Sequence, residues 1–442
     1  MALVLKQLGA ILAFGGALEI VWIASYCLGP LRGSTGSFLI LLAAAVALFW
    51  WAFFRVEITP GAPVGAVLAF AALFRLTLLP AQPYQSEDVY RYIWDARVSS
   101  AGINPYRYPP DAPELEGLRD DAVYSRINSK PYLTVYPPLS QLLFRSSRAL
   151  FGESVTGTKA VFCMFEFATV VTAWRLLVRF GQPLQGLLLI AWNPLFVFEF
   201  SHSGHSDSAM MFFALASILL LDCRRHRAAA AAYVLAVLSK LHPALWFPAL
   251  LRRAGLGAAL PGAALGLVLV GIYYTPTSLA GYARSLGLYY RLFEFNAGIH
   301  YLLHSIGRVV YHQAWDKLTG PYLVLALLVA AALIAWRLPI RDARDVLRAA
   351  FWVMTADLLL GTTVHPWYLS WAACALPFFP YAFMVYWTGA ALLSYAAYGY
   401  RPVCEPAWVL LVEYLPMYGL MAWELARGGS LLRPWLERKP PA

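Results

Sequence analysis

The sequence predicts an all-α, polytopic integral membrane protein of roughly 12–14 transmembrane or half-membrane helices, with short interfacial helices in its outer loops. Three observations carry this. The 442 residues are 60% hydrophobic and only 13% charged, about half the charge density of a soluble domain. Apolar runs approaching the ~20 residues that cross a bilayer as a helix recur from end to end. The alternating segments of about 10 residues that build a membrane barrel are absent.

Candidate spans fall at 8–29, 36–54, 63–80, 155–178, 184–200, 208–222, 228–251, 256–275, 321–337, 347–363, 366–380, 382–399 and 406–426. The first reads as a span, because it lacks a small-residue cleavage site and further spans follow at once. The run 228–251 is interrupted by Ser239-Lys240-Leu241-His242-Pro243 and ends in Arg252-Arg253. Two half-length helices that enter and return explain it better than one crossing. We expect a single transmembrane domain over 1–442, in which 1–58 is an extra N-terminal helix pair.

The net charge of +10 sits in short Arg and Lys clusters between apolar runs. That placement suits membrane orientation and argues against nucleic acid as a partner. With 228–251 returning to its starting face, Lys6, Arg55, Arg175/Arg179, Arg224/Arg225/Arg227, Arg252/Arg253, the Arg337–Arg348 cluster and the basic C-terminal tail share the cytoplasmic side, as do both termini. The loop 81–154, the turn His202–Ser206, the loop 276–320 and the turn His365-Pro366-Trp367-Tyr368 then meet on the outer side. The two loops are rich in Tyr, Phe and Pro with occasional Arg, a mixture that suits headgroups, sugars and phosphates. Short amphipathic interfacial helices are expected near Asp88–Val98 and Phe144–Leu150.

Four clusters could carry chemistry. In Glu87-Asp88-Val89-Tyr90-Arg91, a helix puts Asp88, Arg91 and Asp95 on one face, and a carboxylate held by Arg can stay ionised and accept a proton. An N-cap followed by an Arg–Asp surface pair explains the same residues. His202, His205 and Asp207 stand within six residues of one another. As metal ligands they are an incomplete set, and hydrogen bonding to a sugar is preferred; a helix cap by Ser206 or Asp207 is the plain alternative. Lys240 beside His242 puts a cation inside an apolar hairpin, where it can meet an anionic headgroup or snorkel to the interface. In His365-Pro366-Trp367-Tyr368 the histidine can bind phosphate or help position a hydroxyl, and an interfacial aromatic belt with a turn proline explains the same residues. Arg284 and Arg291 are further anion-binding candidates. Glu166, Glu199, Asp357 and Glu413 are read as buried polar bonds without an assigned role. The five cysteines contain no CxxC pair and read as small core residues; a Cys27–Cys404 bridge is a minor alternative. No GxGxxG, Walker loop, GxSxG or HExxH is present, so ATP hydrolysis and serine or zinc peptidase chemistry have no support.

The chain resembles the GT-C superfamily of polytopic glycosyltransferases, and is most similar to the bacterial polyprenyl-phosphate-mannose-dependent mannosyltransferases. The resemblance rests on Ser86-Glu87-Asp88-Val89-Tyr90-Arg91-Tyr92, Ala101-Gly102-Ile103-Asn104-Pro105-Tyr106, Val135-Tyr136-Pro137-Pro138-Leu139, Trp192-Asn193-Pro194, Ser203-Gly204-His205-Ser206-Asp207, Ser239-Lys240 and His365-Pro366-Trp367-Tyr368. It implies an inner-membrane enzyme with its active site facing the periplasm and a cell envelope glycan as product. It implies a polyprenyl-phosphate sugar donor, a lipid or glycan acceptor and inversion at the anomeric carbon; phosphate is already a good leaving group, so no metal or other cofactor is expected. Asp88 matches the catalytic acid of the family's first large outer loop, with Glu87 as the neighbouring alternative. Glu87, Tyr90, Arg91, Asp95, His202, His205, Asp207, Lys240, His242, Arg284, Arg291, His365 and Tyr368 are the expected substrate contacts. Two departures stand out: an extra pair of spans precedes that loop, and His205-Ser206-Asp207 stands where related sequences often carry His-Asn-Asp. A lipid-linked-sugar flippase or a non-catalytic subunit of a glycosylation complex are the alternative readings.

Overall fold

The computed structural model describes residues 2–29, 35–312 and 316–437, without the side chains of 288–292 and 316–318. Its longer helices are α1 (Ala2–Leu28), α2 (Thr35–Arg55), α3 (Ala62–Leu78), α4 (Asp88–Ser100), α5 (Pro138–Phe151), α6 (Val155–Arg179), α7 (Asp207–Asp222) and α8 (His226–Ser239). They continue as α9 (Phe247–Ala254), α10 (Leu256–Gly271), α11 (Pro276–Leu292), α12 (Gly298–Val310), α13 (Asp316–Arg337), α14 (Ala343–Leu360), α15 (Ala382–Ala390) and α16 (Ala407–Ala426). Short helical turns fill 184–202 and 366–373. Among the described residues, Phe295 and Thr363 form an isolated parallel bridge, and no strand is present.

Among the described residues, five helices are long and apolar enough to cross a membrane, and up to seven spans result if each of two bent pairs counts as one. The other expected spans are helical but short or broken, and prolines explain most of the breaks. Pro194 follows a bend of 43° between Leu184–Ala191 and Pro194–His202. Pro276 starts α11 at 100° to α10, with Thr275 and Ser278 forming a capping box. The expected outer loop 276–320 is therefore largely helical.

The chain divides into two compact units, one of Met1–Gln85, Cys163–Ser203 and His365–Ala442, the other of Ser86–Phe162 and Gly204–Val364. In the first, α1 packs on α2 and α3. Its buried residues Gln7, Ile11, Gly15, Leu18, Trp22 and Ser25 recur every three or four positions, while Leu12, Ile20 and Ile23 stay exposed, which is a helix with one face on protein and one on lipid. Gly15 permits the close approach, since a Cβ there would lie 2.7 Å from the Phe70 ring. Arg75 on α3 is buried and paired with Glu166, with further bonds to the carbonyls of Ala71 (2.8 Å) and Ala191 (2.9 Å). A buried guanidinium is tolerated when every side of it meets an acceptor. Glu199 accepts from Tyr395 Oη at 2.7 Å and Glu413 from Trp387 Nε1 at 2.7 Å, so both are buried polar bonds.

In the second unit α8 packs between α7 and α10, and α4 lies on α5. The run around Lys240 is broken as expected. α8 ends at Ser239, Lys240 is extended, and a 3₁₀ turn (His242–Trp246) leads into α9. The Tyr233 ring stacks on Phe247 at 5.9 Å and meets Trp246 at 4.6 Å. Fourteen residues of continuous helix would separate such rings by about 21 Å, so the chain folds back on itself. Tyr233 Oη fastens the turn by donating to Pro243 O at 2.8 Å.

The helix near Asp88 forms, and every residue from Val89 to Ser99 is buried. The reason lies in the long segment that follows it. Ile103, Tyr108, Leu115, Leu118, Val123, Tyr124 and Ile127 pack against Val89, Tyr92, Ile93 and Trp94, which turns an amphipathic helix into a core element. No Cys27–Cys404 bridge is formed; of the five cysteines only Cys163 and Cys374 are core residues, while Cys27, Cys223 and Cys404 are exposed, because they stand at or just beyond helix ends.

Candidate active site

Asp88 stands in the first turn of α4 and Asp207 in the first turn of α7. Helix N-termini favour carboxylates, because the first amide N–H groups and the helix dipole both point at the charge. Within the second unit these two acids lie close to one shared phenol. Tyr92, one turn after Asp88, accepts a bond from Ser206 N at 3.4 Å. Burial first, then the charges of Asp88 and Asp207, hold the Tyr92 phenol well above its ordinary pKa. Tyr136 is raised in the same way, by burial and then by Asp88. The two phenols therefore stay protonated as potential donors beside the acids.

Each acid faces a base or cation. His205 Nδ1 lies 3.6 Å from Asp88 Oδ2, with the imidazole fully buried and the carboxylate 24% exposed. Lys240 Nζ lies 3.1 Å from Asp207 Oδ1, with Lys240 17% exposed and Asp207 fully buried. The break in the hairpin is what presents Lys240. Ser140 Oγ donates to Ser239 O at 2.7 Å, and His242 Nδ1 meets Asp357 Oδ2 at 2.6 Å, so the residues on both sides of the lysine are tied down. Gly204, at φ +77°, turns the chain into His205; a Cβ there would lie 2.5 Å from Lys159 Cγ.

Arg91 and Asp95 serve α4 itself. Arg91 Nε donates to Asp95 Oδ1 at 2.9 Å and its Nη2 to Tyr132 O at 3.1 Å. Gln141 Nε2 donates to Asp95 Oδ2 at 2.9 Å and also contacts Thr134 Oγ1. Tyr90 accepts from Arg126 Nη1 at 2.5 Å, and the guanidinium lies over its ring. Glu87 is the N-cap residue of α4 and is half-buried. Tyr106 Oη donates to Tyr136 O at 2.6 Å, and Tyr282 Oη to Val135 O at 3.2 Å, which locks the residues around Tyr136 from two sides. Gln141 and Tyr136 were not among the expected contacts. Their signal was Pro137-Pro138, which starts α5 and fixes where Gln141 falls.

The other expected residues are placed differently. Arg284 is exposed, and the Arg291 side chain lies outside the described ones. His202, His365 and Tyr368 belong to the first unit. His202 stacks on Phe198 at 4.5 Å and abuts Tyr84 at 4.3 Å. His365 stacks on Trp367 at 4.3 Å, and Tyr368 on Trp371 at 4.4 Å. Trp192-Asn193-Pro194 is a packing device there. Trp192 Nε1 donates to Val67 O, Asn193 Oδ1 caps the turn beginning at Pro194, and Asn193 Nδ2 donates to Thr388 Oγ1 at 3.0 Å.

The second unit thus holds a one-quarter-exposed carboxylate, a buried imidazole, a lysine–aspartate pair and two high-pKa phenols, a set suited to moving a proton and meeting an anion. Residues 7–254, which include Asp88, His205, Asp207 and Lys240, match the family model described as alpha-(1→6)-mannopyranosyltransferase, N-terminal domain. No curated protein and no solved structure matches the chain. The match spans more than half of the sequence, and the chain belongs to this family of GT-C type mannosyltransferases.

Proposed function

We propose that the protein transfers mannose from a polyprenyl-phosphate donor to a hydroxyl of a lipid or glycan acceptor, at the periplasmic face of a bacterial inner membrane. The anomeric carbon inverts, and Asp88 is the general base. The observation that carries this reading is the setting of Asp88: a carboxylate that keeps 24% of its surface at the end of an otherwise buried helix, beside a fully buried imidazole. Such a group is fixed in place yet reachable by a hydroxyl.

In this scheme Asp88 takes the proton of the acceptor hydroxyl as its oxygen bonds to the anomeric carbon. The bond from that carbon to the phosphate oxygen breaks on the opposite side, and polyprenyl phosphate leaves with the electron pair. Lys240 meets the growing charge on the phosphate. An ammonium has three donors, so Lys240 can serve phosphate while retaining Asp207. Tyr92 and Tyr136 supply protonated hydroxyls to the sugar, and Arg91, Asp95 and Gln141 hold α4 in register. The exposed Arg284 can attract the anionic donor.

The test is an assay of the purified full chain with radiolabelled polyprenyl-phosphate mannose and candidate acceptors. Asp88→Asn is expected to fold normally and to lose at least about 100-fold in turnover. Near-normal transfer by that variant removes Asp88 from the mechanism. Retention of the donor's anomeric configuration in the product overturns single displacement.

A further inference from the structure

We propose that Glu294, His300 and His304 form a binding site for a divalent first-row transition metal, zinc in the first instance. These three residues lie elsewhere in the second unit, and the mechanism above does not use them.

The geometry is that of a ligand set. His300 and His304 are four residues apart on α12, so both imidazoles project from one face, with ring centroids 4.2 Å apart. Glu294 comes from the segment just before α12. Each residue offers one donor atom, and the three atoms lie within 4.8 Å of one another. His300 Nε2 and Glu294 Oε1 are 3.2 Å apart, close to the ~3.3 Å edge of a tetrahedron with bonds of about 2.0 Å. His304 Nδ1 is 3.9 Å from Glu294 Oε2.

The surroundings hold these donors in place. Glu294 sits between Phe293 and Phe295, whose backbones are pinned: Thr363 Oγ1 donates to Phe293 O at 2.8 Å, Phe295 N to Thr362 O at 3.2 Å, and Val364 N to Phe295 O at 2.8 Å. His304 Nε2 lies 3.2 Å from Thr319 Oγ1. That contact fixes the ring and turns Nδ1 toward the carboxylate, as the outer partner of a metal-bound histidine does. His300 and His304 are buried while Glu294 is one-third exposed, which leaves a way in for an ion.

Two nitrogen donors and one carboxylate favour zinc, cobalt or nickel over magnesium and calcium. The competing explanation is an ion pair between Glu294 and protonated histidines. Two cations with ring centroids 4.2 Å apart would crowd a single carboxylate, whereas one dication meets both rings and the carboxylate at once. The cluster also reaches α4, because Tyr132, which bonds Arg91, meets the Phe293 ring at 6.0 Å. A bound ion would therefore brace α12 against the segment that backs α4.

The experiment uses the full chain, purified without a histidine tag, stripped with chelator and titrated with zinc chloride and cobalt chloride. We expect one equivalent of zinc bound with micromolar or tighter affinity, a rise of several degrees in Tm on zinc addition, and the visible absorption of a low-coordinate cobalt site. His300→Ala and His304→Ala are each expected to weaken zinc by at least 100-fold, and Thr319→Val by about 10-fold. If the histidine variants do not fold, Glu294→Gln decides the matter: its partly exposed position tolerates the change, and the cobalt spectrum should be lost. Substoichiometric zinc, an unchanged cobalt spectrum in Glu294→Gln, or equal binding of magnesium overturns the proposal.

Discussion

Lys240 reaches 3.1 Å to Asp207, a carboxylate with no exposed surface, from the extended residue that ends α8. Removing the cation leaves a buried charge behind. Lys240→Ala should therefore destabilise the protein by about 3 kcal/mol, and adding Asp207→Asn in the same chain should recover part of that loss. Thermal unfolding of the single and double variants measures it. Equal Tm values for the two would show that the pair has no energetic weight.

Asn193 caps the turn at Pro194 and donates to Thr388. Asn193→Ala removes a cap and leaves a buried hydroxyl short of a donor. A loss of about 2 kcal/mol is expected, with kcat of the surviving folded protein unchanged. A drop in kcat without a drop in Tm would instead make the residue part of the chemistry.

Gly204 occupies the left-handed region and has Lys159 Cγ where a Cβ would stand. Gly204→Ala should cost about 1–2 kcal/mol in backbone strain alone, more with the clash. Because the next residue is His205, transfer activity should fall along with stability. Tm and turnover of Gly204→Ala, measured side by side, check this.

Arg97 gathers Glu153 (Nε to Oε1, 3.0 Å) and Asp120 (Nη2 to Oδ2, 2.7 Å), and its Nη1 donates to Leu118 O. Hydrogen bonds from Arg97 hold both carboxyls below their ordinary pKa values of 4.5 and 3.8. Groups with depressed folded-state pKa values stabilise in full above their unfolded values and lose that contribution as pH falls through the folded ones. The melting temperature should thus decline as pH drops below about 5. Arg97→Gln should lower Tm at neutral pH and flatten the decline. A pH profile of Arg97→Gln parallel to that of the parent chain would contradict this.

Much of this was legible in the sequence. The break at Ser239–Pro243 announced itself as polar residues and a proline inside an apolar run, and α4 as an acidic start to an amphipathic pattern. What escaped was pairing at long range. Nothing in periodicity links Lys240 to Asp207 or Gln141 to Asp95, because side-chain partners dozens of residues apart leave no local signal. Nor could hydropathy tell that the residues after Gly102 would fold over α4, since a stretch rich in Tyr and Pro reads the same whether it faces water or protein. The Trp192-Asn193-Pro194 triplet shows the reverse case, in which a conspicuous motif serves packing and capping.

The enclosure of α4 has a mechanical consequence. A rod gripped along its length from Val89 to Ser99 has no freedom to swing. In the mechanism proposed above, the acid at its tip would be a stationary post, and the alignment that turnover demands would come from the arriving molecules settling into place around it.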